Sequence, residues 1–134
     1  MHYCQGFTIV ELLIVVIIIG ILVTFAAPQF ITTRERALDK EAQANLKLIQ
    51  AAEKIYRTEV GGYFPPPGYS GPWSNQVLND NLKLSVATQG KWTYYTDSNG
   101  FAVACKNPAC SKYWYMYMSY EEPACQSNPE PCLP

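Results

Sequence analysis

A long apolar stretch near the N-terminus, interrupted by one acid, constrains this chain more than any other sequence feature. Residues 12–27 carry no charge and are dominated by Ile, Val and Leu. With residues 7–10 they give about 20 largely apolar residues, enough for a helix to cross a bilayer core of roughly 30 Å. Glu11 lies inside this span, where a carboxylate costs on the order of 2.5–3.5 kcal/mol. Since a simple anchor has no need of that acid, the pattern indicates a positively charged partner from another chain or a new N-terminus.

The residues around Glu11 resemble the processing site of a known family. Gly6 is followed by Phe7-Thr8-Ile9-Val10-Glu11-Leu12, which is similar to the N-terminal motif of type IV pilins and of the pseudopilins of type II secretion. The specific resemblance covers about residues 6–30. Gly20 and Pro28 stand where that family commonly has its helix-softening glycine and proline.

This resemblance implies that a prepilin peptidase cuts after Gly6 and methylates the new amine of Phe7. Residues 1–6 would then be a leader peptide. In a filament, the amine of one subunit would neutralise Glu11 of its neighbour and fix the register of otherwise apolar helices. The implied partners are prepilin peptidase, membrane lipid before assembly, an inner-membrane assembly platform and further copies of the chain in a helical homo-oligomer. The implied location is the bacterial inner membrane as a single-pass precursor, then an extracellular pilus or a periplasmic pseudopilus.

Charge and signal patterns leave two other interpretations to weigh. The leader has no Lys or Arg, whereas Arg34 and Arg36 follow the span, so the positive-inside rule alone would put these arginines in the cytoplasm. The resemblance implies the opposite orientation, and we follow it because Gly6 and Glu11 are otherwise unexplained. An ordinary secretory signal cleaved near residues 26–27 is disfavoured by the missing basic residues and by Glu11.

The helical pattern continues beyond Pro28. Residues 32–58 are rich in Ala, Leu, Glu, Lys, Gln and Arg, which favour helix. Apolar residues recur there at spacings of three or four and predict one stripe. The stripe consists of Leu38, Ala42, Leu46, Ile49, Ala52 and Tyr56, widened by Leu48, Ala51 and Ile55. We therefore predict one helix over residues 7–58. Gly20 and Pro28 should make the segment between them easier to kink or melt.

The C-terminal half predicts a loop followed by a small antiparallel sheet. Glycines and prolines break regular structure after the helix, and a short helix is predicted within residues 74–84. Alternating β-branched and aromatic residues predict three strands joined by tight turns. The strands are residues 92–96, 101–105 and 113–120. The apolar stripe of the helix is the only large surface available to cover one face of this meander, and the proline-rich tail cannot be a central strand.

The cysteine pattern predicts disulfides formed in an oxidising compartment. Apart from Cys4 in the leader, four cysteines cluster near the C-terminus. Hairpin closure would bring Cys105 near Cys110, and Cys125 with Cys132 would then close the tail, but the other two connectivities remain open. A zinc site is less consistent with the spacings, since its usual cysteine pairs are two to four residues apart.

The sequence lacks the signals of an enzyme or of a cofactor-binding protein. Its single histidine, His2, falls in the leader, and no nucleophile elbow, P-loop or metal-binding histidine pair occurs. Residues 97–100 faintly resemble the start of a calcium loop, but the later ligands are missing, so we predict a turn without metal. The net charge of −1 and the absence of a basic block give no direct indication of nucleic acid. Most of the aromatics fit a sheet core and an exposed interface better than electron transfer or adhesion.

The sequence therefore predicts a pilin-like α+β protein with a long N-terminal helix packed on a sheet of about three strands. Its regions are a leader (1–6), a hydrophobic transmembrane and polymerisation helix (7–30) and an extracytoplasmic head (31–134). The head comprises an amphipathic helix (31–58), a loop (59–90), a β-meander (91–120) and a Cys/Pro-rich tail (121–134). The predicted function is a structural subunit of a type IV pilus. The alternatives are a type II secretion pseudopilin and a membrane-anchored binding module that never polymerises.

Overall fold

The computed structural model describes residues 7–69 and 74–127. Gly6 and the rest of the leader lie outside the described residues, as do Cys132 and the end of the tail. The elements in chain order are α1 (Ile9–Val60), α2 (Asn75–Leu82), β1 (Trp92–Thr96), β2 (Phe101–Lys106), β3 (Lys112–Tyr117) and β4 (Ala124–Ser127). The chain divides into two compact units, Met1–Glu35 and Arg36–Pro134.

The long helix predicted from the sequence is present, and it continues through Pro28. Helix α1 contains 52 residues. Among the described residues, no single unbent helix is both long and apolar enough to span a membrane. The segments Ile9–Phe25 and Gln29–Val60, on either side of a bend, meet that requirement together by length and composition.

The second unit contains an antiparallel meander in the order β1-β2-β3-β4. The sheet has four strands where the sequence predicted about three, because β4 pairs with β3 through Tyr113↔Gln126 and Tyr115↔Ala124. The strand was not predicted because the tail is rich in proline. The prolines flank Ala124–Ser127 without interrupting it, and a short proline-free run can pair at a sheet edge.

One face of the sheet packs on the C-terminal half of α1. Ala42, Leu46 and Ile49 have no exposed surface, and they share a core with buried side chains from the loop after α1, from α2 and the loop that follows it, and from strands β1 to β3. Those partners include Phe64, Leu78, Val86, Trp92, Tyr94, Ala102, Ala104, Trp114 and Met116. The buried part of the stripe is narrower than predicted, because the three residues expected to widen it, Leu48, Ala51 and Ile55, are all exposed, Leu48 by 45% and Ile55 by 61%. They lie on an adjoining face of α1, because successive helical residues advance by about 100°.

Two asparagines of α2 hold the segment that links α1 to the sheet. The buried Asn75 donates from Nδ2 to the carbonyls of Ala87 (2.7 Å) and Trp92 (3.0 Å) and accepts the N–H of Tyr94 at 2.9 Å. Asn79 exchanges two hydrogen bonds with the backbone of Val86. These contacts hold α2 against the first strand. The sequence predicted a short helix within residues 74–84, and the structure places it at Asn75–Leu82 with Ser74 as its N-cap.

Two turns of the meander are closed by side chains. Cys105 at the end of β2 is disulfide-bonded to Cys110, and Cys125 on β4 is disulfide-bonded as well. At the β1–β2 turn, Asp97 Oδ1 accepts the N–H groups of Asn99 and Phe101 at 2.9 and 2.8 Å. The carboxylate of Asp97 therefore acts as the cap of its own turn.

Candidate functional site

The N-terminus of α1 is closed by a reciprocal pair of side chains. The hydroxyl of Thr8 accepts the N–H of Glu11 at 3.2 Å, and Glu11 Oε2 accepts the N–H of Thr8 at 3.0 Å. The Thr8 hydroxyl also donates to Glu11 Oε2 at 2.9 Å. This is a capping box, which satisfies two helix N–H groups that have no intrahelical partner. Sequence reasoning missed Thr8, although threonine followed three residues later by glutamate signals such a box.

The capping box does not neutralise Glu11. The hydrogen bonds of its carboxylate to described residues all use Oε2, and no Lys, Arg or His among residues 7–69 and 74–127 pairs with it. The carboxylate is exposed in the isolated chain. Oε1 is therefore available to a donor from another molecule while Oε2 keeps its hydrogen bonds to Thr8.

Apolar side chains surround Glu11 and continue along the helix. Phe7, one of the predicted processing residues, is 74% exposed and precedes α1. From Ile9 to Phe25, every Ile, Leu, Val and Phe side chain is between 44% and 87% exposed. Such a continuous apolar surface is far larger than soluble monomers tolerate, so this surface must be covered by something outside the isolated chain.

The two predicted softening residues both lie within α1. A Cβ added to Gly20 would meet nothing within 4 Å, so contacts inside the chain do not require a glycine. The Thr24 hydroxyl donates to the carbonyl of Gly20 at 2.7 Å. Pro28 has no N–H to offer the carbonyl of Thr24 four residues earlier, so one helix hydrogen bond is lost there.

A buried ion pair joins the C-terminal half of α1 to the sheet. Lys112 Nζ lies 2.6 Å from Asp39 Oδ2, and both side chains are 2% exposed. Trp114 Nε1 donates to the other carboxylate oxygen at 3.4 Å. Each charge is satisfied by the other, as buried charges must be.

A second buried acid, Glu53, lies where α1 meets the following loop. Its Oε2 accepts the N–H of Phe64 at 2.9 Å, whereas its Oε1 and the buried hydroxyl of Thr96 make no hydrogen bond among the described residues. Burial is the largest cause of a pKa of about 7 for Glu53. The Phe64 N–H and the nearby Thr96 hydroxyl oppose that shift, and the negative charge of Asp97 adds to it.

Neither buried acid was singled out from the sequence, yet both occupy positions of the apolar repeat. The residues 39, 42, 46, 49 and 53 follow one another at spacings of three or four, so they lie on one face of the helix. A charged residue at such a position is the signal that would have found them. The structure thus has one site at the N-terminus of α1, formed by Thr8 and Glu11, and a separate set of buried charges in the head.

Comparison with known proteins places the N-terminal motif in a described family. The prokaryotic N-terminal methylation motif matches residues 1–27. The type IV narrow pilus major component PilA5 of Thermus thermophilus is 30% identical over 103 residues, which cover 72% of this chain and 88% of that protein. No solved structure shows a significant match.

Two further relatives match less than half of the chain. The type IV major pilin protein PilA of Myxococcus xanthus is 46% identical over 59 residues, covering 44% of this chain. The type II secretion system core protein G of Pseudomonas aeruginosa is 34% identical over 59 residues, covering 44% of this chain and 42% of that protein. The matched region spans only 27% of the length of the Myxococcus pilin.

Proposed function

This chain belongs to the type IV pilin family, and on that premise we propose that it is the structural subunit of a type IV pilus, processed after Gly6 and polymerised through its N-terminal helix. The observation that carries this proposal is the exposed apolar surface of residues 9–25. Lipid covers that surface in the precursor, and the helices of neighbouring subunits cover it in the filament. The chain acts by assembly and not by catalysis.

The proposed partners of the chain are the molecules that process it and assemble it. Prepilin peptidase removes residues 1–6 and methylates Phe7, and an inner-membrane assembly platform extracts the subunit from lipid. The precursor is a single-pass protein of the bacterial inner membrane, and the product is an extracellular filament of many copies. Gly20 and Pro28 allow α1 to adjust as it leaves the bilayer, since each weakens the helix locally.

Glu11 provides the register of the filament in this proposal. Processing creates a positive amine on Phe7, and the free Oε1 of Glu11 in a neighbouring subunit accepts it. Because the capping box uses Oε2, both interactions can exist together. An unpaired amine among packed apolar helices would be strongly unfavourable, so only registers that pair each amine with a carboxylate persist.

A pseudopilin of type II secretion is the second candidate function, because core protein G is similar over 44% of the chain. The match to the Thermus pilus component extends over 72% of the chain, so it includes residues of the head as well as the helix. That coverage favours a pilus subunit. An intact mass of the protein sheared from cell surfaces separates the two candidates. A chain that starts at methylated Phe7 supports the pilus, and a processed chain found only in membranes supports the pseudopilus.

Substitutions at the helix start separate the two roles of Glu11. Glu11→Gln keeps a capping box, because glutamine serves at this position, but removes the charge. We expect normal membrane insertion and processing, and a filament yield reduced at least about tenfold, since the amine loses its compensating charge. Sheared filament protein, measured against membrane protein, gives the yield.

Thr8→Val is the matched control for that experiment. It removes the hydroxyl that caps the helix, at a cost of about 1 kcal/mol, and leaves the charge of Glu11 in place. We expect filament yield close to wild type. Normal yield from Glu11→Gln, or an equal loss from Thr8→Val, would show that Glu11 acts as a helix cap only.

A further inference from the structure

The face of the sheet that does not pack on α1 is aromatic and uncharged. Alternation along β3 turns Tyr113, Tyr115 and Tyr117 to this face, and Phe101 on β2 lies opposite Tyr117. The outer face of an antiparallel sheet is ordinarily polar. A cluster of four rings on that face is therefore an unusual surface, and filament assembly through residues 7–25 does not explain it.

These rings line a groove of about 340 Å³ with Tyr120 and the amide of Gln126. Ring centroids along the cluster are 6.2 Å apart for Tyr113 and Tyr115 and 6.4 Å apart for Tyr115 and Tyr117. Tyr117 is 4.7 Å from Phe101 and 5.0 Å from Tyr120. The ring planes are inclined to one another by 42–85°, so they form the walls of a groove and not a flat platform.

The rim of the groove is held in place from the other side of the sheet. The amide of Gln50 on α1 donates to the carbonyls of Tyr117, Met118 and Tyr120 at 3.3, 3.2 and 2.8 Å. The N–H of Met118 also bonds to the carbonyl of Gly100 at 3.0 Å. Because these bonds fix the backbone of the rim, less conformational entropy is lost there when a ligand binds.

The lining combines apolar rings with unused hydrogen-bonding groups. None of its six side chains is charged. Within residues 7–69 and 74–127, no hydrogen bond engages the four tyrosine hydroxyls or the Gln126 amide. The groove therefore offers aromatic faces for stacking together with hydroxyl and amide groups that can donate and accept.

We propose that this groove binds a neutral saccharide of one or two sugar rings. A sugar ring has apolar C–H faces, which stack on aromatic rings, and a rim of hydroxyls, which match the phenols and the amide. The groove volume lies at the lower end of the range for small-molecule sites. A nucleic acid would need Lys or Arg against its phosphates, and none lines the groove.

Binding of this kind belongs to the head and does not depend on polymerisation. In a filament, however, the many copies of the groove would raise the apparent affinity for a glycan-covered surface, and that consequence rests on the proposed function. A test on the unassembled chain therefore fails or succeeds independently of the assembly mechanism.

The test uses the full chain in a zwitterionic detergent without a sugar head group. Cellobiose, lactose and N,N′-diacetylchitobiose are titrated separately, with saturation-transfer NMR and calorimetry as readouts. We expect saturable binding of at least one. Tyr117→Leu keeps an apolar side chain but removes the ring that contacts Phe101, Tyr115 and Tyr120, and should weaken binding about tenfold. Tyr117→Phe keeps the ring and should weaken it less.

Tyr95→Leu is the matched control, because Tyr95 lies on the same face, on β1, but does not line the groove. It should leave binding unchanged, and circular dichroism should show all variants folded. The proposal is overturned if none of the three sugars binds saturably or if folded Tyr117→Leu binds as well as wild type. Tighter binding of single-stranded oligothymidylate than of any of the sugars would also overturn the proposal. So would self-association of the wild-type chain that Tyr117→Leu abolishes, because that result would assign the face to a second copy of the chain.

Discussion

The apolar side chains in the two parts of helix α1 are covered in different ways. From Ile9 to Phe25 the large apolar residues are 44–87% exposed, so their burial requires another molecule. In the head, Ala42, Leu46 and Ile49 of the same helix have no exposed surface, because the sheet covers them. One element thus serves association in its first part and folding in its second. A continuous apolar run marks the first, and an apolar stripe marks the second.

The acids of the helix differ in the same way. Glu11 is exposed, and the only hydrogen bonds of its side chain with the residues that the structure describes are those of the capping box with Thr8. Asp39 and Glu53 are buried and bond to groups far along the chain or in the next loop. Removing Glu11 should therefore disturb assembly, whereas removing Asp39 or Glu53 should disturb the stability of the head.

The largest effect is expected from breaking the buried ion pair. Asp39→Ala leaves Lys112 charged, buried and unpaired, which should lower the free energy of unfolding of the head by about 3–5 kcal/mol. Lys47→Ala is the matched control. Lys47 and Glu122 are also 2.6 Å apart, but their side chains are 46% and 73% exposed, so the loss should stay below about 1 kcal/mol. Urea titration of tryptophan fluorescence measures both, and equal losses would contradict the role of burial.

A pair of leucine truncations tests the two parts of α1 directly. Leu46→Ala opens a cavity in the head and should cost about 2–5 kcal/mol of unfolding free energy. Leu13→Ala removes the same atoms from a side chain that is 56% exposed, so the unfolding free energy of the head should not change measurably. The same urea titration applies. A comparable loss from Leu13→Ala would mean that residues 7–35 contribute to the stability of the head.

The pH dependence of stability should report Glu53. Because burial raises its folded pKa to about 7, the folded head holds this proton more tightly than the unfolded chain does. The contribution is therefore fully present below the unfolded pKa and is lost as the pH rises through about 7. Between the two pKa values, the free energy of unfolding should fall by up to about 1.4 kcal/mol for each pH unit of increase, because folding takes up roughly one proton per molecule in this range.

Glu53→Gln is the control for that titration. The amide oxygen can still accept the Phe64 N–H, but the side chain no longer titrates. We expect the slope between about pH 5 and pH 7 to flatten and the head to be more stable than wild type above pH 7. An unchanged slope in thermal unfolding followed across this range would assign the pH dependence to another group.

The smallest effect is expected at Gly20. Alanine there meets no neighbouring atom and should stabilise the helix by about 1 kcal/mol. If the glycine is needed for softening, Gly20→Ala should leave membrane insertion intact and reduce filament yield modestly. If the glycine is needed because neighbouring subunits approach closely there, Gly20→Val should reduce filament yield more than Gly20→Ala does. The amount of filament protein sheared from cells measures this difference.

Much of the fold could be predicted because it depends on local patterns. Residues 7–58 were predicted as helix, and α1 covers Ile9–Val60, since an apolar stripe requires the helical period throughout. The alternation around Trp114 and Tyr115 likewise predicted β3 and its two faces. The edge strand β4 was missed, because a strand of four residues carries too short a pattern to be recognised without a pairing partner.

The sequence by itself determined the apolar span, the motif at Gly6 to Glu11, the helical stripe and the strand alternation, since each is a property of neighbouring residues. Only the tertiary structure decided which charges are buried and what pairs with them. Asp39 meets Lys112 at a separation of 73 residues, and Gln50 bonds to the carbonyl of Tyr120 at a separation of 70 residues. Such partners come together only when the sheet packs on α1, because no local preference of the chain specifies a contact at that distance in sequence.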